Sequence, residues 1–221
     1  KHEKNIQVYE GRENRVVFFE MDQNRDELLY SNVKGKNPFK DIRVRKAILQ
    51  GIDINAIHRA VMRGASVPTA INLPNPEKAG IPKSLDKRLP YDVNAAKKLL
   101  AEAGYPNGFE VELDCPNNRY INDEKICVAT AGMLAKIGIK VKVNAMPRAQ
   151  YFPKMQRLDM SFCMLGWGGA TTDAIFTLQP VLHSRDAQGD GDFNWGNYKD
   201  PVFDAMIDDL KGDTDAKRRQ Q

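Results

Sequence analysis

The feature that most constrains the fold is a pair of alternating segments separated by the length of one helix. Residues 109–113 (FEVEL) and 139–143 (IKVKV) alternate apolar and charged side chains, as half-buried strands do. Residues 123–137 are typical of a helix that ends at Gly138. Because a helical crossover joins parallel strands, the sequence predicts a β-α-β unit, with the glutamates of one strand beside the lysines of the other.

Other segments extend this pattern. Residues 15–20 (RVVFFE) and 160–165 (MSFCML) have strand composition. Residues 68–90, with five prolines, and the Gly- and Asp-rich residues 183–197 are predicted loops. Helices are predicted at 148–157 and 173–182, and after four aspartates suited to the N-cap position: Asp41, Asp53, Asp92 and Asp200. The predicted fold class is α/β, with a mixed, partly parallel sheet flanked by helices.

Composition indicates a globular chain and excludes some partners. The chain has 221 residues, 42% hydrophobic and 28% charged, enough for one large or two small domains. Its longest apolar runs, such as residues 160–165, fall far short of the roughly 18 residues that span a membrane. The net charge of +4 is dispersed, apart from Lys217-Arg218-Arg219, so no nucleic-acid partner is expected.

The cysteines and histidines lack the spacing of a metal or redox site. Without a C-x-x-C pair, the cysteines are predicted to be small buried apolar residues and not disulfide partners: Cys115, Cys127 and Cys163. The histidines share no ligand spacing with them: His2, His58 and His183. A P-loop, a G-x-S-x-G turn and an H-E-x-x-H motif are also missing from the sequence. The sequence therefore predicts no metal ion, no organic cofactor and no catalytic residue.

Two turns follow predicted strands, where open α/β sheets bind ligands. Arg119 follows the strand of residues 109–113. Its guanidinium can bind a ligand carboxylate with two hydrogen bonds, or the residue is a surface arginine or part of a salt bridge. Gly166 and Trp167 follow the strand of residues 160–165. They either offer backbone polar groups beside an aromatic ring to a ligand, or form a structural turn with a packed tryptophan. Asp173 either binds a polar group or caps the next helix. We predict that these four residues form one edge of a ligand cleft.

Two longer motifs resemble family 5 of the bacterial solute-binding proteins, the dipeptide, oligopeptide and nickel group. Residues 37–48 (NPFKDIRVRKAI) are similar to the family's N-P-x-x-D-x-R-V-R-x-A-[IL] segment, followed by Gly51-Ile52-Asp53. Residues 91–109 (YDVNAAKKLLAEAGYPNGF) resemble the family's most recognisable stretch. Shorter matches follow in order: Ile137-Gly138-Ile139, Gly166-Trp167 and Tyr198-x-x-Pro201-x-x-Asp204.

The resemblance implies that residues 1–221 are the second lobe of a two-lobe, periplasmic-binding-protein-like receptor, without its first lobe and carboxyl-terminal segment. The opening Lys1-His2-Glu3-Lys4 fits a processed protein or an excised piece. The implied function is that of the substrate-binding component of an ABC importer. Such a protein captures a peptide or other small polar solute in the periplasm and delivers it to a membrane permease, as a monomer and without catalysis.

The resemblance also implies roles for particular residues. Arg119 corresponds to an arginine that pairs with the ligand carboxylate in dipeptide-binding relatives, and Gly166 and Trp167 to the turn that lines the ligand. Peptide-binding members place an acidic residue three positions after this tryptophan, where this chain has Ala170. A receptor for a non-peptide solute, such as an opine or a sugar conjugate, therefore stays open. A small α/β hydrolase or transferase, or a signalling or chaperone role, are more distant alternatives.

Overall fold

Four strands form one mixed sheet in the computed structural model, which describes residues 7, 9–11, 13–169, 171–215 and 217–220. Ala170, on which the prediction about a peptide's amino group rests, lies outside these residues, as does His2. The sheet has the order β1-β4-β2-β3, in which β4 pairs antiparallel with β1 and parallel with β2. The strands are β1 (Val16–Met21), β2 (Glu110–Pro116), β3 (Lys140–Met146) and β4 (Phe162–Trp167).

The predicted β-α-β unit is confirmed. Strands β2 and β3 are parallel, and Glu110 lies opposite Lys140 and Glu112 opposite Lys142. Each lysine Nζ lies 3.0 Å from a carboxylate oxygen of its glutamate. Gly108, which leads into β2, has a φ of +69°, and a Cβ there would lie 2.0 Å from the carbonyl oxygen of Gly138. Only glycine fits this close approach.

Helices lie where their caps predict them. The carboxylate of each of the four predicted N-cap aspartates accepts a hydrogen bond from a backbone N–H of the first helical turn. The helices are α1 (Ile42–Gly51), α2 (Ile54–Ala56), α3 (Val93–Glu102), α4 (Asp123–Ala135), α5 (Arg148–Gln156), α6 (Ile175–Thr177) and α7 (Pro201–Gly212). In the described part of the chain, no helix combines the length and the apolar character needed to cross a membrane.

Two predicted helices are shorter than expected. Helix α2 is a single turn that continues into a π turn, Ile57–Val61, and α6 continues in the same way into Leu178–Leu182. Residues 68–90 form a loop, as predicted, with two short 3-10 turns at Pro76–Ala79 and Lys83–Leu85.

Both faces of the sheet are covered. Strand β4 is buried on both sides, with Phe162 and Met164 in one apolar cluster and Cys163 and Leu165 in the other. The larger cluster includes residues of α1, α3 and α4, and the smaller one centres on Trp195 together with α5. The apolar run of residues 160–165 is thus a strand between two layers.

The prediction that the cysteines do not pair is wrong for two of the three. Cys115 of β2 and Cys127 of α4 form a disulfide, with their Cα atoms 6.7 Å apart. Helix α4 packs against the strand that it follows, so residues 12 apart in sequence meet across the layer. Spacing alone does not indicate such a pairing. Cys163 is the buried free thiol that was expected.

Candidate functional site

The carboxyl ends of β2 and β4 meet at one edge of the sheet, because these strands are parallel neighbours with Leu113 opposite Phe162. The loop of residues 117–122 follows β2 there, and the turn of residues 166–169 closes β4. Arg119 and Trp167 therefore lie at the same edge, which is the geometry that a ligand site of an open α/β sheet requires.

A buried carboxylate organises the first of these loops. Oδ2 of Asp123 accepts hydrogen bonds from the backbone N–H groups of Arg119 and Tyr120, both at 2.9 Å. The Cys115–Cys127 disulfide spans the same segment. The backbone that carries Arg119 is consequently fixed from both sides, and Asp123 is a positioning residue that the sequence did not reveal.

The guanidinium of Arg119 is available to a ligand. Its Cζ lies 5.0 Å from the centroid of the Tyr120 ring, and the side chain is only partly buried. Among the described residues it makes no hydrogen bond and no ion pair. A guanidinium held on an aromatic face, with its five N–H donors free, is suited to bind a carboxylate.

Tyr120 ties this loop to the neighbouring strand. It is buried, and its hydroxyl donates to the carbonyl oxygen of Gly166 at 3.2 Å. Burial raises the pKa of Tyr120, so the phenol remains a neutral donor. A Cβ on Gly166 would lie 2.6–2.9 Å from three atoms of the Tyr120 ring, which explains why glycine stands here.

A second arginine reaches the same place from β1's side of the sheet. Arg15 donates to the carbonyl oxygen of Gly166 at 3.2 Å, and its Cζ lies 5.5 Å from the Tyr120 ring centroid. Its Nε is paired with Glu13 at 2.6 Å. The edge therefore carries two guanidiniums around one tyrosine. Sequence reasoning missed Arg15, since only the pairing of β1 with β4 brings it here.

Trp167 lies beside this group and is half-buried, whereas Trp195 is fully buried in the core. The indole N–H of Trp167 donates to the carbonyl oxygen of Phe176 at 2.8 Å, and its ring lies 4.8 Å from that of Phe193. The free part of the indole forms an apolar surface at the edge, of the kind that lines ligand sites.

Asp173 has protein partners. One carboxylate oxygen accepts from the backbone N–H of Ile175, the first residue of α6, at 3.0 Å, although the N-cap position itself is held by Ala174. Both oxygens lie within 2.7 Å of the same guanidinium nitrogen of Arg219. A ligand at Asp173 would have to share these partners, and its ligand-binding role stays a prediction.

A cavity of about 260 Å³ lies elsewhere, between α2 and the loop of residues 68–90. Its lining includes Asp53, Asp86 and Arg88, and none of the four predicted site residues. The candidate site at the carboxyl edge of β2 and β4 is therefore separate from this cavity.

The mixed sheet between helical layers is the fold of a lobe of a periplasmic binding protein, and solved structures of such proteins superpose on it. Residues 1–189 match the family model of the bacterial extracellular solute-binding proteins, family 5 middle region. The chain belongs to this family, and the resemblance drawn from its motifs is confirmed.

Relatives agree with this assignment. Heme-binding protein A of Haemophilus influenzae is 33% identical over 187 residues, covering 83% of this chain and 33% of that protein. The glutathione-binding protein GsiB of Pectobacterium atrosepticum is 29% identical over 195 residues, covering 84% and 36%. The structure of the PBP AgaA from A. tumefaciens R10 in complex with agropinic acid superposes with a TM-score of 0.78 at 27% identity, covering 93% and 39%. The chain spans about a third of the length of the curated relatives it matches.

Proposed function

We propose that residues 1–221 are one lobe of the substrate-binding component of an ABC importer, and that this lobe binds a carboxylate group of a small solute. The observation that carries the proposal is the guanidinium of Arg119, which rests on Tyr120 without an ion-pair partner among the described residues. A charged donor that is partly desolvated and unpaired gains most from an anionic partner. The open edge is completed by a second lobe that closes over the solute.

The chemistry of the relatives' ligands supports an anionic solute. Heme, glutathione and agropinic acid, which the names of three relatives give, all carry carboxylic acid groups. Ala170 provides no acidic side chain for the amino group of a peptide. The proposed ligand is therefore recognised through a carboxylate, whether it is a peptide or another small polar molecule.

Two further observations support a periplasmic location. The family is described as extracellular. The disulfide between Cys115 and Cys127 belongs in an oxidising compartment, since such bonds are rare in the cytosol. The proposed receptor is a monomer that delivers its solute to a membrane permease, and it acts by binding and closure, not by catalysis.

The test uses the complete two-lobe protein, purified from its own host. Native mass spectrometry identifies a retained solute, and calorimetry then measures its affinity. Arg119→Ala should weaken a carboxylate-bearing solute by about 1.5–3 kcal/mol, the range of hydrogen bonds to charged groups. Arg59→Ala, which removes an exposed arginine of the π turn after α2, is the matched control and should leave affinity unchanged. Equal affinities for Arg119→Ala and the unaltered protein would refute the proposed carboxylate contact.

A further inference from the structure

A second polar cluster lies where the loop of residues 183–197 packs against α7. It contains His183 and two aspartates, Asp190 of the loop and Asp208 of the helix. One nitrogen or oxygen atom of each lies within 4.8 Å of the others. None of these residues belongs to the candidate ligand edge.

The buried imidazole has an unused nitrogen that faces the two carboxylates. His183 is 7% exposed, and its Nδ1 lies 2.7 Å from the carbonyl oxygen of Ser184, a contact that assigns the proton to Nδ1. Nε2 is shielded from solvent and has no hydrogen-bond partner in the described part of the chain. It lies 3.5 Å from Oδ1 of Asp208 and 4.0 Å from Oδ2 of Asp190. With the proton on Nδ1, the lone pair of Nε2 faces two carboxylate oxygens, an arrangement that a cation bound between them would stabilise.

Lys211 supplies a positive charge to two of these carboxylates. Its ammonium contacts Asp190 and lies 2.7 Å from Oδ1 of Asp208, but it makes no bond to Nε2 of His183. A third carboxylate, that of Asp204, lies 3.9 Å from the imidazole. The ammonium therefore satisfies two carboxylates and leaves the imidazole unsatisfied, in a cluster where acidic groups outnumber it.

We propose that His183, Asp190 and Asp208 bind a divalent transition-metal ion, with Zn²⁺ the best match, in competition with the Lys211 ammonium. Zinc accepts imidazole nitrogen and carboxylate oxygen at about 2.0–2.2 Å, so it would use all three groups. The outer contacts fit this role. Ser184 orients the imidazole as a backbone carbonyl does in zinc sites, and Gln179 donates to the other oxygen of Asp190 at 2.6 Å.

The ligand set also explains why spacing gave no signal. His183 and Asp208 are 25 positions apart, and they meet only because the loop folds back on α7. Lys211 lies in the last turn of α7, and Asp208 is largely exposed, so the ammonium can move into solvent when a metal ion enters.

The test titrates the metal-free 221-residue chain with Zn²⁺ by calorimetry, and with Co²⁺ by visible absorption, which reports low-coordinate nitrogen and oxygen ligation. The chain should bind one zinc ion, and Lys211→Met should tighten binding by about tenfold or more, since it removes the competing positive charge. His183→Gln and Asp190→Asn should abolish the Zn²⁺ heat and the Co²⁺ spectrum. His58→Gln is the control and should bind as the unaltered chain does.

Three outcomes would overturn the proposal. One is zinc binding that survives His183→Gln. Another is an affinity that Lys211→Met leaves unchanged. The third is binding that appears in Lys211→Met but not in the unaltered chain, which would show an ion-pair network only. Circular dichroism of each variant separates lost binding from lost folding, and Lys211→Met tests the site without removing a ligand.

Discussion

The hydroxyl of Tyr120 donates a hydrogen bond to the carbonyl oxygen of Gly166 at 3.2 Å, which joins the loop after β2 to the end of β4. The two residues are 46 positions apart. Arg119 precedes this tyrosine and stacks on its ring. The position of the guanidinium is therefore set by contact with the adjacent strand, as well as by its own loop.

Gly166→Ala should disturb this arrangement. The added methyl carbon would lie 2.6–2.9 Å from three atoms of the Tyr120 ring, so the ring must move. We expect a loss of about 1–3 kcal/mol in the free energy of unfolding, as for overpacked cores. Urea denaturation of the 221-residue chain measures it.

Gly132→Ala is the matched control. Gly132 lies inside α4, and a Cβ there would meet no atom of the described residues within 4 Å. Alanine should stabilise this helix by about 0.5–1 kcal/mol. If both alanine variants shift stability in the same direction, the close contact between Gly166 and Tyr120 is not what the structure indicates.

The disulfide gives a second prediction. Cys115 and Cys127 are 12 positions apart in sequence, and their disulfide restricts the conformations of the unfolded chain. Reducing the disulfide should therefore lower the free energy of unfolding by about 2–4 kcal/mol. Urea denaturation with and without a phosphine reductant measures the loss. A Cys115→Ala/Cys127→Ala double variant should no longer respond to the reductant, whereas Cys163→Ala should respond fully. Equal stability in both buffers for the unaltered chain would contradict the pairing.

Local patterns predicted what depends on neighbours in sequence. The alternation of residues 109–113 and 139–143 was enough to predict the parallel pair of strands. The four aspartates predicted where helices begin, because an N-cap side chain accepts a hydrogen bond from the N–H two or three residues later. The resemblance of two motifs was enough for the family. These signals are contained within one element or one crossover.

Contacts between residues far apart in sequence could not be predicted from local patterns. Arg15 and Gly166 are 151 positions apart and meet through the antiparallel pairing of β1 with β4. Cys115 meets Cys127 only after α4 packs on the sheet. Tyr120 had a weak signal, as the aromatic neighbour of a predicted ligand arginine. Its use as a platform depends on its burial, which the sequence does not give.

The two tryptophans give a third prediction, because their exposure differs. Trp195 is fully buried, while Trp167 at the candidate edge is half-buried. In Trp195→Phe, the remaining fluorescence of Trp167 should be quenched readily by acrylamide. In Trp167→Phe, the fluorescence of Trp195 should be protected. Similar quenching constants in the two variants would contradict an exposed indole at the edge.

The last prediction concerns the pH dependence of stability and rests on Glu20 of β1. Oε2 of this carboxyl group is shielded from solvent and has no hydrogen-bond partner among the described residues. Burial raises the pKa of Glu20 well above its usual value, although a hydrogen bond from the Trp195 backbone and the charge of Arg185 act against this.

The folded chain then holds a proton that the unfolded chain releases near pH 4.3. The stability of the folded state should therefore fall as the pH rises from about 4.3 to the raised pKa of the folded state. Glu20→Gln, which is neutral throughout, should remove this fall and be more stable than the unaltered chain at pH 7. At pH 4 Glu20→Gln and the unaltered chain should be nearly equal in stability.

Glu124→Gln removes one exposed negative charge and is the control, which should bring no gain in stability at pH 7. Urea denaturation at both pH values measures these differences, and parallel pH profiles for Glu20→Gln and the unaltered chain would show that Glu20 is not buried as a neutral acid.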